Sequence, residues 1–443
     1  DVAIPPVRGS ILSRDGVPFA VSRMTGKSLY AVPARLTDPT VRERTVRALA
    51  PILGFDEAAV RRTIARIANR PDAQFLWVER QLDKTQEVAL ADWVAQTPAF
   101  GFRDEMIRLY PQGEELAHVL GFTGVDGNGL EGVERLYDPL LAGRVGQSAA
   151  LRDARGRLIR DLDLSIGADT ATTLLERTVD GATLTLTIDA RLQSIVERAL
   201  DQAIDRWRPV GAQVVVADPY TGEILAIATR PGFHPGEPAA VDPEARRNRA
   251  IADVFEPGSI FKPLVLLAAL EHGVFPVPQL PTDLANWPDD PAEPLPGEAT
   301  VFCENGSFSV GHGRVIRDVH GYGTLPLRGV LIKSSNVGMT KVGRALGIER
   351  LLPALEALGF GQHTGLDLPG EGSGLLPSLE SALEDRPNTY AVPSLSMGYQ
   401  VGVTPVQMLS AFNAIVNGGY LIRPRIVQQA TASDGSLVHR TQP

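Results

Sequence analysis

The longest unbroken apolar run in this 443-residue chain, Leu264 to Leu270, is seven residues long. It follows a turn, Pro257-Gly258, and the short stretch Ser259-Ile260-Phe261-Lys262-Pro263. A helix that is apolar all round has to be buried on every side, so this run is expected to form a central helix. It is far shorter than the roughly 20 residues a membrane span needs. At 44% hydrophobic and 21% charged residues the chain is globular, and its length argues for two or three domains.

The run also places two reactive side chains. Ser259 stands at the start of the expected helix, and Lys262 follows one turn later on the same face. A serine hydroxyl is a weak nucleophile until a base takes its proton. A lysine buried against an apolar helix, at its positive dipole end, has its amine pushed towards the neutral form. Backbone N–H groups at the helix start would help stabilise an oxyanion. The same pattern also describes an ordinary serine cap and a surface lysine. Lysine is scarce, however: of 43 basic residues only Lys27, Lys84, Lys262, Lys333 and Lys341 are lysines. Chance alone gives about 0.2 serine-x-x-lysine matches, so the single match favours the functional reading.

The net charge of −9 is a poor match for a general nucleic-acid binder, which needs a basic surface. Cys303 is the only cysteine, which excludes an intrachain disulfide and a cysteine metal cluster; it is expected to be a packed residue. The seven histidines form no ligand pair at metal spacing. A zinc site using His312, His320 and Cys303 is the weaker alternative to a plain Gly-rich loop. Asp289-Asp290-Pro291-Ala292-Glu293 is expected to be solvated surface. The opening Asp1-Val2-Ala3-Ile4-Pro5-Pro6 lacks a signal-peptide pattern.

An α+β organisation follows from the patterning. Residues 1–36 are extended, with a turn at Arg14-Asp15-Gly16. Helices are expected in 37–54, with Val41, Val46, Leu49, Ile52 and Leu53 on one face, and over 56–68 and 83–97. Residues 98–180 are expected to be turns and short strands. A boundary is expected near Val179-Asp180-Gly181. Beyond it come a strand over 183–187, a helix capped by Asp189 and bounded by Pro209, and a hairpin of 212–217 and 223–229 about Asp218-Pro219-Tyr220-Thr221-Gly222. The Pro- and Asp-rich stretch 276–300 is expected to be a loop.

A second constellation, Lys333-Ser334-Ser335-Asn336-Val337-Gly338, lies 75 residues beyond Ser259. Ser334 and Asn336 offer a hydroxyl for proton relay and a carboxamide for gripping a peptide. Alone, the segment reads as a serine-rich helix cap. Together with Ser259-x-x-Lys262, it resembles the motif set of the penicillin-binding transpeptidases. Further segments carry the resemblance across nearly the whole chain. Arg8 to Gly16, Arg108-Leu109-Tyr110-Pro111-Gln112-Gly113, His118 to Phe122 and Gly129 to Gly132 resemble the pedestal of class B penicillin-binding proteins. Asp218 to Ala228 and Phe255 to Pro263 resemble the transpeptidase core. Ser396-Met397-Gly398-Tyr399-Gln400 with Val403 to Gln407 resembles the division-type branch more than the elongation-type branch.

The resemblance implies a pedestal over 1–180 and a transpeptidase domain over 181–443, an antiparallel sheet flanked by helices. It implies a peptidoglycan D,D-transpeptidase of septal wall synthesis. Ser259 would be the acylated nucleophile, Lys262 its general base, Ser334 the relay to the leaving amine, and Asn336 the donor-peptide ligand. Stem peptides ending in D-Ala–D-Ala and β-lactams would be its small partners, with no metal or organic cofactor. A membrane-embedded glycan polymerase and divisome proteins would be its macromolecular partners. The expected location is the cytoplasmic membrane, with the catalytic domain on its outer, periplasmic side.

The family's third motif, lysine-threonine-glycine, is absent: no lysine here precedes Thr-Gly. His363-Thr364-Gly365 is expected to belong to an upstream loop instead. The chain is therefore expected to be a fragment that lacks an N-terminal anchor and its later strands, retaining only the 212–229 hairpin of the family sheet. By itself it is expected to label poorly with penicillin. Alternatives are an elongation-type enzyme, a non-catalytic scaffold that activates the polymerase, and a β-lactam sensor or hydrolase.

Overall fold

A computed structural model describes residues 2–148, 174–176, 178–283, 287–384 and 390–442. Part of the expected turn-rich stretch 98–180 lies outside these residues. The chain forms two units. The first comprises Asp1–Leu186, Phe233–Ala240 and Val427–Arg440; the second comprises Thr187–Gly232, Val241–Ile426 and Thr441–Pro443.

In the first unit, Ile11–Leu12 turns back antiparallel onto Pro18–Ala31. Gly16, at φ 85°, supplies the left-handed turn position. Strands Leu76–Leu82 and Phe100–Leu109 both pair with Pro18–Ala31. Three helices cover this sheet. Pro39–Leu53 is capped by Asp38 and closed by Gly54 in the left-handed region; Glu57–Ala68 is capped by Asp56; Lys84–Gln96 carries an Asp83/Gln86 capping box. Val46, Leu49, Val60, Ile67 and Leu90 share one buried cluster with Leu29, Val78 and Phe100. Val41 departs from the expected helix face and is exposed. It sits in the first turn, where Asp38 ties the backbone N–H of Val41 and fixes the helix start.

The ten-residue strand Phe100–Leu109 was not legible as a long strand. It carries four charged residues; Arg103 and Asp104 are exposed, while Glu105 and Arg108 are paired. Glu105 accepts from Arg80 and from the Ser28 hydroxyl. Arg108 Nε donates to Glu134 Oε1 at 2.7 Å. Glu134 Oε2 accepts from Arg8 Nε, also at 2.7 Å, and Arg8 reaches Asp138 as well. Glu134 is fully buried and both guanidiniums nearly so, so the first unit contains an internal ion cluster.

The strand Thr183–Leu186 completes this sheet. It runs parallel to Ile11–Leu12 and antiparallel to Val427–Thr431, which in turn pairs with Leu437–Arg440. The chain beyond Ile426 thus closes the sheet of the first unit, and the 212–229 hairpin gains no further strand from it.

In the second unit, helix Ala190–Trp207 is capped by Asp189, whose carboxylate accepts from Leu192 N. Its Val196 and Leu200 pack on Ala226 and Ala228 of the hairpin Ala212–Ala217/Ile224–Arg230. Gln193 clasps that hairpin by accepting from Ile227 N and donating to Ile227 O, both at 2.9 Å. The hairpin forms a two-stranded sheet. A separate helical core contains the apolar run. Leu264, Val265, Ala268 and Ala269 of helix Lys262–Glu271 are buried with Val337, Val342, Leu351, Leu355 and Leu395. The expected loop 276–300 has no regular helix or strand among its described residues up to 299, and Thr300 already opens the strand Thr300–Phe302.

Candidate active site

The site grows out of the turn before the apolar helix. Gly258 adopts φ 60° and opens a short 3-10 turn, Gly258–Phe261, that runs directly into Lys262–Glu271. Phe261 is buried edge-on against Phe360 at 5.1 Å, which pins the turn to the core. Ser259 therefore sits exposed at the helix entrance, while Lys262 is 1% exposed. The Lys262 N–H donates to the Ser259 carbonyl.

A second segment supports this turn. Phe255 and Val403 exchange backbone hydrogen bonds at 3.0 and 2.9 Å, and Gly258 N donates to Gly398 O at 2.9 Å. Glu256 Oε1 accepts from Gln400 N at 2.8 Å. Gly398 has φ 79°, and a Cβ there would lie 2.1 Å from the Gly258 carbonyl oxygen. Only glycine fits so close an approach in that conformation.

The Lys262 amine points at the second constellation. Nζ donates to Ser334 O at 2.7 Å, Ser334 Oγ at 3.0 Å and Asn336 Oδ1 at 2.9 Å. Three acceptors match the three donors of an ammonium. Burial nevertheless pushes the amine down to about 8, while the negative charge of Asp318 works in the opposite direction. About one amine in ten is then neutral at pH 7, enough for a base that regains its proton each cycle.

Ser334 is held at φ 51°, a left-handed conformation that costs a non-glycine residue about 1–3 kcal/mol. It joins helix Leu327–Ile332 to helix Asn336–Leu346 and presents both its carbonyl and its hydroxyl to one amine. The expected helix cap is also real, but it is Ser335 and not Ser334. Ser335 Oγ accepts from Gly338 N at 2.9 Å and donates to Asp318 Oδ2 at 2.7 Å. Gly338 is excluded from carrying a Cβ by Val330, 2.7 Å away. Asn336 Nδ2 donates to Arg317 O at 3.0 Å, which turns Oδ1 towards Lys262.

The structure thus joins Lys262, Ser334 and Asn336 by direct hydrogen bonds and holds Ser259 beside Lys262 through the backbone. The sequence reasoning missed Arg317 and Asp318. Arg317 ends the strand Arg314–Arg317 and Asp318 follows it, and neither carries a motif of its own.

The other candidates fall elsewhere. Cys303 is fully buried, and burial pushes its thiol up, consistent with packing. Among the described residues no group of three His, Cys, Asp or Glu side chains is arranged to hold a metal ion. His363-Thr364-Gly365 is not on a strand. The Thr364 N–H and hydroxyl both donate to Glu371 Oε1, which closes that loop on itself.

Comparison with known proteins decides the family. Residues 212–293 and 294–443 match the penicillin-binding protein transpeptidase domain, and residues 3–169 match the penicillin-binding protein dimerisation domain. The chain belongs to the class B penicillin-binding proteins. This penicillin-binding protein is 32% identical over 99% of its length to a probable peptidoglycan D,D-transpeptidase, PenA, of Neisseria gonorrhoeae, of which it spans 68%. It is 34% identical over 94% of its length to the peptidoglycan D,D-transpeptidase FtsI of Escherichia coli, of which it spans 63%. Among solved structures it resembles penicillin-binding protein 3 of Mycobacterium tuberculosis complexed with aztreonam. That match has 26% identity and a TM-score of 0.65, and covers all of this chain and 71% of the other. The mixed α+β fold, a pedestal domain with a partial transpeptidase domain, is that of the family. Among the described residues no helix is long and apolar enough to cross a membrane.

Proposed function

We propose that this penicillin-binding protein is a division-type peptidoglycan D,D-transpeptidase, with residues 1–180 as pedestal and 181–443 belonging to the catalytic domain. The observation that carries the reading is a buried amine lowered to about 8 and held by Ser334 and Asn336, one turn from an exposed serine. In this reading Ser259 Oγ attacks the carbonyl carbon of the penultimate D-Ala and its proton passes to Lys262 Nζ. The tetrahedral adduct collapses, the C–N bond breaks, and the departing D-Ala amine takes a proton by way of Ser334. An acceptor amine then attacks the ester carbonyl, and Ser259 recovers its proton as it leaves. Asn336 orients the donor peptide.

The resemblance to FtsI supports septal wall synthesis at the outer face of the cytoplasmic membrane, alongside a glycan polymerase and divisome proteins. The complex of the mycobacterial structure with aztreonam supports β-lactams as acylating ligands. The test is covalent labelling of the intact protein by a fluorescent penicillin. We expect one label per chain, mapped to Ser259 by peptide mass, and none in Ser259→Ala. Labelling that survives Ser259→Ala would remove the serine assignment. Sidewall instead of midcell localisation would move the protein to the elongation branch.

A further inference from the structure

Asp318 has no part in the proton path just described, yet its carboxylate is the most fully used acceptor around that path. Oδ1 takes the backbone N–H groups of Asn336 and Val337, the latter at 3.0 Å. Oδ2 takes the Ser335 hydroxyl at 2.7 Å. Every residue from 335 to 337 is thus tied to one side chain. The adjoining Arg317 carbonyl receives the Asn336 carboxamide, so this dipeptide fixes both the backbone and the side chain of Asn336.

The dipeptide is itself anchored. Asp318 N donates to Gly306 O at 3.0 Å, Gly306 N to Cys303 O at 2.9 Å, and Cys303 N to Gly323 O at 2.7 Å. Gly306 has φ 87°, and a Cβ there would lie 2.7 Å from the His320 carbonyl. The buried Cys303 therefore serves as the floor of a closed loop that carries Asp318. The charged groups packed around this loop are Lys262, whose charge Asp318 favours, and the Lys341–Glu304 pair at 2.6 Å.

We propose that Asp318 is a positioning residue of the acyl transfer, seating the first turn of helix Asn336–Leu346 so that Ser334 and Asn336 meet the Lys262 amine. The inference rests on the transpeptidase reading above. A carboxylate is suited to the task because it accepts three N–H or O–H donors at a helix start. Its charge has a second effect: it holds the proton on Lys262 and so sets the pH at which the base becomes available.

The test compares Asp318→Ala and Asp318→Asn in the intact protein. The readouts are the second-order rate of acylation by a fluorescent penicillin across roughly pH 6 to 9.5 and the thermal midpoint. In Asp318→Ala the first turn loses its seat, and acylation falls on the order of 10²-fold, the effect of displacing reactive groups by about 1 Å. Asp318→Asn keeps the two backbone acceptor contacts and recovers most of the rate. Its acid limb moves to lower pH, because the charge that favoured the Lys262 proton is gone. Wild-type rates in Asp318→Ala would overturn the proposal. So would an unmoved acid limb in Asp318→Asn, which decides the matter alone if the alanine variant does not fold. Labelling that persists in Ser259→Ala would instead indict the serine reading and leave the Asp318 comparison standing.

Discussion

Gly398→Ala tests how the nucleophile turn is supported. A Cβ at residue 398 would sit 2.1 Å from the Gly258 carbonyl oxygen, so the two segments have to separate by about 1 Å to reach van der Waals contact. Two costs add. Holding alanine at φ 79° costs about 1–2 kcal/mol, and forcing packed segments apart costs about 1–3 kcal/mol. The displacement falls on the residue before Ser259, so the rate suffers as well as the stability: on the order of 10²-fold slower acylation for a shift of this size. Gly370 provides the control. Its φ is 85° and nothing lies within 4 Å of a Cβ there, so Gly370→Ala carries the conformational cost without the clash. The assay is acylation by a fluorescent penicillin under pseudo-first-order conditions, beside a urea melt of each variant. Gly398→Ala is expected to lose roughly twice the stability of Gly370→Ala and most of the acylation rate, and Gly370→Ala to keep that rate. Equal acylation by the two variants would refute the argument that this contact positions Ser259.

The remaining predictions concern charge. With the Lys262 amine lowered to about 8, only its neutral form takes the serine proton, so acylation of the wild type should rise with pH through that value; a flat profile across it would exclude Lys262 as the base. Asn336→Asp places a carboxylate where Oδ1 now meets the amine at 2.9 Å, which favours the ammonium. The rate should fall and its midpoint should move up by about 1–3 pH units, read from the same profile. In the pedestal, Glu134→Gln leaves Arg8 and Arg108 buried without their shared counter-charge. It should cost about 3–5 kcal/mol in equilibrium denaturation, and an unchanged denaturation curve would show that the cluster is not structurally needed.

Local signals made much of this protein legible. Asp189 caps the helix its position predicts, and the helices expected over 56–68 and 83–97 start at Asp56 and Asp83, because a cap is a contact between near neighbours in the chain. The pairing of Lys262 with Ser334 and Asn336 could be foreseen only through the family resemblance, since 72 residues separate Lys262 from Ser334. Two features stayed hidden. The strand Phe100–Leu109 lies in a stretch that reads as turns and short strands, because the partners of Glu105 and Arg108 are remote in sequence. Nothing local marks Asp318, because what it caps begins at Asn336, beyond an intervening helix. Long-range pairing of polar groups leaves no periodic trace.

The sheet of the first unit takes its strand Val427–Thr431 from close to the end of the sequence, against Thr183–Leu186. A chain emerging from its N-terminus can fold the three helices and their strands at once, but it has to hold that edge open until the whole second unit has been made. An unpaired edge of this kind invites pairing with other chains, and closing so long a loop is slow. Cutting the protein at residue 186 would make the wait permanent, so an isolated segment of residues 1–186 should associate more readily than the longer chain.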